Sequence, residues 1–377
     1  MKWEKKKLCE CTEYITDGDH QPAPKADKGV HFIKIKDIVN NQVSFDAQVY
    51  VPQEYYDNLP MERKPQKEDV LYTVVGSFGI PSYVQTDELF CFERNIALLH
   101  PNKAIEPRFL YYSLKNPAFY KGVEIVANGS AQKLIPLSKL KDLKISVPDK
   151  EAQHRIADIL SVYDNLIENN QKQIKLLEEA ARRLYKEWFV DLRFPGHENT
   201  KIVDGVPEGW SRGLLKELIS VNYGKDHKKA PDDGNIPVYG SGGLMRKCNK
   251  SLFSGEAVLI PRKGSLNNIM YVDETFWTVD TMFYATMKQP HTAVFLYFFV
   301  KAFDMYSMNI GAAVPSMTTK ILDAMDVVIP DKETLEKFDK LTKTYFNKIK
   351  TLQGQNERLK IARDLLLAKL MSGEVEV

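Results

Sequence analysis

The chain has 377 residues, which is long for one ordinary domain, and with 44% hydrophobic residues it can bury more than one core. Its formal net charge is +2, so a uniformly basic nucleic-acid coat is excluded and any nucleic-acid surface has to be a local basic face. No apolar run approaches the roughly 20 residues of a membrane span, and no signal peptide is expected. We therefore expect a cytoplasmic protein.

The first half of the chain is predicted to form an α/β globular domain at 1–148 and a long helix at 149–193. Apolar residues along this helix alternate in spacings of four and three, a heptad seam in which only Asn170 is polar. Asp149 can cap the first turn, and Glu151 suits its positive end. The seam consists of Ile156, Leu160, Tyr163, Ile167, Asn170, Ile174, Leu177, Ala181, Leu184 and Trp188.

The second half repeats this order, with a linker at 194–209, a mixed α/β domain at 210–330 and a second helix at 331–377. Asp331 can cap this helix, and Ser372-Gly373 supplies a stop signal. Gly354 lies inside it and should cost about 1 kcal/mol relative to alanine. The second seam consists of Phe338, Thr342, Tyr345, Ile349, Leu352, Asn356, Leu359, Arg363, Leu366 and Leu370.

The two halves are a tandem repeat with an offset of 182 residues. Segments 129–189 and 311–371 share 15 identities in 61 ungapped positions, where unrelated segments would share about three or four. Upstream the similarity fades to short matches, including the aromatic pairs Tyr111-Tyr112 and Tyr297-Phe298, which we expect in the cores. The sequence thus predicts a pseudo-twofold arrangement of two globular domains separated by two long helices.

The seams predict an antiparallel coiled coil in which positions i and 526 − i face each other. Asn170 would then pair with Asn356, satisfying both amides and penalising slipped registers. About 30 helical residues would span roughly 45–50 Å, more than one DNA turn. The alternative is that each helix packs on its own domain. The residues expected to pair are Ile167, Asn170, Ile174, Leu177, Ile349, Leu352, Asn356 and Leu359.

Several stretches resemble type I restriction-modification specificity subunits. The likeness is strong in 147–160, 176–179, 186–196 and 363–373, and it is looser in Val206-Pro207-Glu208-Gly209-Trp210 and the globular parts. The resemblance implies that each globular domain reads one half of a bipartite double-stranded DNA target. It also implies that the helices dock methyltransferase subunits, two of them by expectation, and that a restriction subunit with translocase activity joins the complex.

Sequence motifs for chemistry are missing. No glycine-rich methyl-donor loop, Asn-Pro-Pro-Tyr motif or phosphate-binding loop occurs, so we expect a non-catalytic subunit without a cofactor. The histidines form no ligand grouping and the cysteines no paired spacing, so no metal site is expected either. We interpret Cys9, Cys11, Cys91 and Cys248 as reduced thiols.

Base and phosphate contacts need only donors and acceptors placed at a groove, with glycines that let the backbone approach. The second domain offers the better candidates, although each single lysine could equally be a solvated charge. They are Lys225, His227, Lys228, Lys229, Tyr239, Ser241, Arg246, Lys247, Arg262, Lys263 and Ser265. The first domain offers His20, Lys25, Ser77, Gln132 and Lys133. Asp17 and Asp19 make that patch less basic, so readout there would depend on hydrogen bonds.

Two alternative functions remain open at this point. A specificity subunit could serve a type IIB-like or methylation-only system, which partner genes would decide. A coiled-coil scaffold with two protein-binding domains and no DNA affinity is the alternative from another class, and the local basic patches argue against it only modestly.

Overall fold

The computed structural model describes residues 2–127, 133–308 and 316–377. Contacts divide the chain into two compact units. One contains the residues up to Asn170 together with Gln355–Val377, and the other is Gln171–Gly354. Each unit therefore combines one globular domain with part of both long helices.

The first unit is built on a four-stranded antiparallel sheet, β2-β10-β7-β8, beside a three-stranded sheet, β6-β3-β9, in which β3 and β9 are parallel. Its strands are β1 (Glu4–Lys7), β2 (Thr12–Asp17), β3 (Val30–Ile33), β4 (Ile38–Val39), β5 (Gln42–Val43), β6 (Tyr50–Val51), β7 (Val70–Thr73), β8 (Pro81–Tyr83), β9 (Phe90–Phe92), β10 (Ile96–Pro101) and β11 (Lys144–Val147). Its helices are α1 (Leu8–Cys11), α2 (Gln53–Asp57), α3 (Pro107–Lys115), α4 (Pro117–Val126), α5 (Leu137–Asp142) and the first part of α6 (Lys150–Tyr185).

The second unit has a six-stranded sheet in the order β15-β20-β18-β19-β16-β17. Its strands are β12 (Ile202–Val203), β13 (Val206–Pro207), β14 (Ser211–Leu214), β15 (Ile219–Tyr223), β16 (Ile236–Gly240), β17 (Gly243–Cys248), β18 (Phe253–Pro261), β19 (Met270–Thr278), β20 (Met282–Met287) and β21 (Asp326–Ile329). Its helices are α7 (Leu215–Leu218), α8 (Ala293–Lys301), α9 (Thr319–Asp323) and the first part of α10 (Lys332–Ser372).

The repeat extends further upstream in the order of the secondary-structure elements than it does in residue identity. The β1-α1-β2 entrance matches β14-α7-β15, and the entrance strands pair with β11 and β21 in the same way. Glu4 corresponds to Ser211, a shift of 207 residues, whereas Val147 corresponds to Ile329, a shift of 182. Because the first domain is longer between these points, an ungapped comparison loses the repeat upstream of the helices.

The predicted helix caps are confirmed. The amide of Ala152 donates to Asp149 Oδ1 over 2.9 Å, and the amide of Thr334 donates to Asp331 Oδ1 over 2.9 Å. Helix α10 runs through Gly354 and ends at Ser372, followed by Gly373 at φ +76°. It is therefore shorter than the predicted segment 331–377.

Helix α6 continues as a π-helical turn, Lys186–Val190, and ends before the predicted residue 193. Leu192 then adopts a φ of +56°, which a continuing α-helix does not allow. Every seam position of α6 and α10 is buried or half-buried. The aromatic pairs expected in the cores, Tyr111-Tyr112 and Tyr297-Phe298, are buried as predicted.

Candidate nucleic-acid interface

The helix seams are antiparallel in the register that the spacing predicts. In the first unit, Asn170 Nδ2 donates to Asn356 Oδ1 over 2.9 Å, and Asn356 Nδ2 reaches the carbonyl oxygen of Ile167 at 3.5 Å. In the second unit, the rings of Trp188 and Phe338 lie 5.8 Å apart. In both pairs the two residue numbers sum to 526, so the helices pair in the same register in each unit.

The other expected pairing residues lie along the same seam. Ile167, Ile349 and Leu352 are buried, while Ile174, Leu177 and Leu359 are half-buried. Arg363, a polar position in the second seam, donates to Asp164, which also accepts from the Tyr112 hydroxyl at 2.7 Å. The two seams therefore satisfy their buried polar groups within the first unit.

The loop after β15 holds the first group of basic candidates in the second unit. Its entry, Gly224, lies so close to β20 and its preceding turn that a Cβ atom there would be 2.0 Å from the carbonyl oxygen of Val279. Asp226 accepts from the amide of Lys228 at 3.0 Å and starts the short 3₁₀ turn His227–Lys229. Lys225, Lys228 and Lys229 are exposed on this loop, and the His227 ring is half-buried.

Arg246, on strand β17, connects the loop after β15 to the β16-β17 hairpin through hydrogen bonds. Its guanidinium donates to the carbonyl oxygens of His227 and Ala230, the latter at 2.7 Å, and forms an ion pair with Asp232. The sequence groups Arg246 with the free basic residues, whereas its donors are engaged within the protein. We therefore interpret Arg246 as a brace that positions the loop.

The glycine-rich turn of the hairpin meets the loop after β18. Asn268 Nδ2 donates to the carbonyl oxygen of Ser241 over 2.8 Å. Gly264 has a φ of +82°, and a Cβ atom there would lie 2.5 Å from Ser241 Oγ. The structure thus brings Ser241, Lys263 and the exposed Ser265 into one surface region, which the sequence left as two separate patches.

Arg262 and Tyr239 are each held by neighbours. The Arg262 guanidinium lies 5.1 Å from the ring centroid of Tyr223 and donates to the carbonyl oxygen of Asp280 at 2.9 Å. The Tyr239 hydroxyl donates to Glu274, and burial together with this carboxylate raises the pKa of Tyr239 above its usual range. Tyr223 is more than half exposed and was not recognised from the sequence, although it directly precedes the closely packed Gly224.

The remaining lysines of this region are exposed. Within residues 2–127, 133–308 and 316–377, no ion pair ties up Lys225, Lys228, Lys229, Lys247 or Lys263. Side chains of this kind are available to phosphates, which supply most of the salt-dependent affinity for DNA. Lys247 on β17 and four lysines on the two loops that Arg246 and Ser241 join to the hairpin thus concentrate positive charge in this region, although the chain has a net charge near zero.

In the first unit, His20 and Lys25 line a cavity of about 450 Å³ together with Lys34, Arg94 and Asn95. Asp17 accepts from His20 Nε2 at 3.1 Å. Neighbouring Gly18 is so close to the end of strand β9 that a Cβ atom would lie 2.2 Å from the carbonyl oxygen of Phe92. Glycine is therefore the residue that allows this approach. The exposed Arg94 in this cavity was missed because it stands alone between polar residues.

Asp19 organises the wall of the same cavity. It accepts hydrogen bonds from the Tyr55 hydroxyl at 3.0 Å, from Arg63 at 3.3 Å and from the amide of Gln21 at 3.2 Å. Although burial opposes the change, these donors hold the pKa of Asp19 below its usual value. Burial and Asp19 raise the pKa of Tyr55 to about 12. The carboxylate is thus an acceptor committed to its own fold.

Ser77 and Lys133 lie together elsewhere in the first unit. The amide of Gly76 donates to the carbonyl oxygen of Lys133, and Lys133 Nζ lies 5.4 Å from the ring centroid of Phe78. The exposed Ser77 follows directly. Gln132, predicted beside them, lies outside the described residues. Hence the first-domain candidates divide between a cavity at His20 and Lys25 and a surface at Ser77 and Lys133.

Among residues 2–127, 133–308 and 316–377, no group of three or more His, Cys, Asp or Glu residues is arranged to hold a metal ion. None of the helices in the described part of the chain has the length and apolar character required to cross a membrane.

Comparisons with known proteins agree with both halves of the repeat. The family model described as type I restriction modification DNA specificity domain matches residues 1–179 and 207–360. The chain is 26% identical to the type I restriction enzyme MjaIX specificity subunit of Methanocaldococcus jannaschii, over 74% of this chain and 71% of that protein. It is 23% identical to the HindI specificity subunit of Haemophilus influenzae, over 92% and 94%.

A solved structure shows the same fold. The crystal structure of the type I restriction-modification system S subunit from M. genitalium superposes with a TM-score of 0.61 and 20% identity, covering 98% of this chain and 96% of that one. The family model and this fold cover both globular domains as well as the helices. The chain therefore belongs to the type I restriction modification DNA specificity domain family.

Proposed function

We propose that this chain is the sequence-specific DNA-binding subunit of a type I restriction-modification complex. Residues 1–148 and 210–330 are the two recognition domains, and each reads one half of a bipartite double-stranded target. The helical segments set the unread gap between the halves. The observation that carries the proposal is the family match on both repeats, and exposed lysines on the glycine-bearing loops of the second domain support it.

The chain contributes recognition and no reaction step of its own. A methyltransferase subunit would supply the methyl-transfer chemistry, since the sequence offers no glycine-rich cofactor loop and no aromatic-proline motif for a flipped base. Purified alone, the chain is expected to transfer no labelled methyl group to DNA. Addition of the methyltransferase should restore transfer at the recognised motif.

Partner subunits dock on the outer faces of the long helices. In the second unit, Leu176 and Val190 are exposed on one border of a groove of about 950 Å³, with Tyr297, Phe298 and Phe346 in its wall. Large exposed apolar side chains of this kind are typical of protein interfaces. By the family likeness, the occupant is a methyltransferase subunit, two of which would join one chain together with the restriction subunits.

The partner proposal is tested by co-purification with the neighbouring methyltransferase. Leu176→Glu should reduce its recovery, because a carboxylate would be buried in an apolar interface. The matched control is Ile125→Glu, which changes another exposed apolar residue, on a globular domain. Equal recovery with Leu176→Glu and the wild type would remove this groove from the interface.

The recognition proposal is tested by domain exchange. Replacing residues 210–310 with the equivalent segment of another family member should change one half of the methylated motif and preserve the other half. A change in both halves would contradict the assignment of one half-target to each domain.

A further inference from the structure

Two large apolar side chains project from the β16-β17 hairpin, in the region where the unpaired lysines lie. Leu244 is 60% exposed and Met245 is 54% exposed, and both belong to strand β17. Neither contributes to the apolar clusters of the second unit. Exposed apolar side chains that adjoin one another are a feature of many ligand-binding surfaces.

The hairpin holds these side chains in place. Val238 pairs with Arg246 and Tyr239 pairs with Leu244, so Met245 is the extra residue of a β-bulge. Bulges re-aim side chains and are frequent beside binding sites. Met245 lies across Gly240, because a Cβ atom there would be 2.4 Å from Met245 Sδ. The bulge and this contact therefore set the direction of Met245 on the hairpin.

Arg246 and Ser241 brace the hairpin on two sides. Arg246 ties it to the loop that bears Lys228 and Lys229, through the carbonyl oxygens of His227 and Ala230. Ser241 ties it to the loop that bears Lys263, through its contacts with Gly264 and Asn268.

The charges around the apolar pair favour a polyanion. Lys247 follows on the same strand, and Lys228, Lys229 and Lys263 lie on the two loops joined to the hairpin. Two carboxylates of the region are engaged within the protein, since Asp232 pairs with Arg246 and Glu274 accepts from Tyr239, while Asp226 and Asp233 are exposed on the loop that bears Lys228 and Lys229. An apolar pair with several lysines nearby is complementary to a ligand that has both phosphates and accessible apolar groups.

Duplex DNA offers that combination in its major groove, where the 5-methyl group of thymine is the exposed apolar group. We propose that Leu244 and Met245 contact thymine 5-methyl groups, and thereby read at least one A·T pair in the half-target of the domain 210–330. This inference rests on the proposed function and adds the base chemistry that this domain reads.

The test uses the chain in complex with its methyltransferase, after the methylated motif has been determined. Duplexes carry deoxyuridine in place of thymidine at one position at a time, which removes only the 5-methyl group. At one or more positions of this half-target, wild-type affinity should fall about fourfold, the value of one buried methylene-sized group. The Leu244→Ser/Met245→Ser variant should bind more weakly and should no longer distinguish the two bases.

A matched control is Ile202→Ser/Val203→Ser, which alters two equally exposed apolar residues on the β12-β13 hairpin of the same unit. This variant should keep the wild-type response to deoxyuridine. Circular dichroism of both variants should match the wild type, because all four side chains are more than half exposed.

Several results would overturn the inference. They are a half-target without thymine on either strand, wild-type binding that is indifferent to every deoxyuridine, and a Leu244→Ser/Met245→Ser variant that retains the full response. Weaker methyltransferase recovery with unchanged DNA affinity would assign the hairpin to a protein partner and would also overturn it. In each of these cases, a bipartite methylated motif would still support the proposed function. A wild-type complex that binds DNA without sequence preference would contradict both the proposed function and this inference.

Discussion

The asparagine pair in the helix seam gives the sharpest prediction about the fold. Asn170 is 8% exposed and Asn356 is 5% exposed, and each amide has its partner on the facing helix. Replacing Asn356 alone by leucine leaves the Asn170 amide buried without that partner, which should cost about 1–3 kcal/mol of unfolding free energy. The double replacement Asn170→Leu/Asn356→Leu removes both polar groups and should be close to neutral or stabilising.

The assay is urea unfolding followed by circular dichroism, with all four members of the double-mutant cycle. The expected coupling energy is about 2 kcal/mol or more, since the second leucine relieves the penalty of the first. Asn347→Leu, an exposed asparagine on the same helix, should change stability by less than about 0.5 kcal/mol. Single costs that simply add in the double variant would refute the reasoning.

The same variants test whether the asparagine pair sets the register of the two long helices. In the wild-type background, Ile167→Cys with Leu359→Cys should form a disulfide, because these positions face each other at the sum of 526. In the leucine double variant, a pair shifted by one heptad, Ile167→Cys with Leu352→Cys, should begin to cross-link, since the polar specification of register is gone. Unchanged cross-linking specificity would show that the apolar residues alone set the register.

Three further predictions concern charge and capping. Lys263→Glu should lower the salt slope of DNA binding by about one, the effect of one phosphate contact, whereas Lys340→Glu on helix α10 should leave it unchanged; equal slopes for both would remove Lys263 from the interface. Asp331→Ala should cost about 1–2 kcal/mol in urea unfolding, more than Asp149→Ala, because Asp331 also accepts a hydrogen bond from a buried indole; the reverse order would contradict this assignment. Burial lowers the pKa of Lys115 to about 8, so between pH 8 and about 10.4 the unfolded chain binds more protons than the folded one. Wild-type stability should therefore rise with pH relative to Lys115→Met across that window, by at most about 3 kcal/mol, and a constant difference would be inconsistent with the buried ammonium.

The helices could be predicted because their information is local. A heptad seam, an aspartate cap and a glycine stop are all read within a few neighbouring residues, and the pairing of Asn170 with Asn356 followed from the register alone. The sheet order could not be predicted in this way, because it depends on contacts between distant strands such as β1 with β11. The different repeat shifts at the entrance strands and at the helices also concealed the repeat within the globular domains.

The candidate site was predictable in its composition but not in its geometry. From the sequence alone, Arg246 is predicted to be a free cation. In the structure, its ion-pair partner and its backbone acceptors belong to residues up to 19 positions away. Leu244 and Met245 stand in a short strand, where apolar residues ordinarily indicate a core, so their exposure could not be foreseen. The same holds for Tyr223, whose ring lies against Arg262.

The most direct test of the account is the methylated motif found by sequencing genomic DNA from cells that express this chain with its neighbouring methyltransferase. Two repeats that each form a recognition domain predict a motif of two short halves with a fixed unread gap. A continuous motif would contradict the account, because it would mean that one of the two domains does not read DNA.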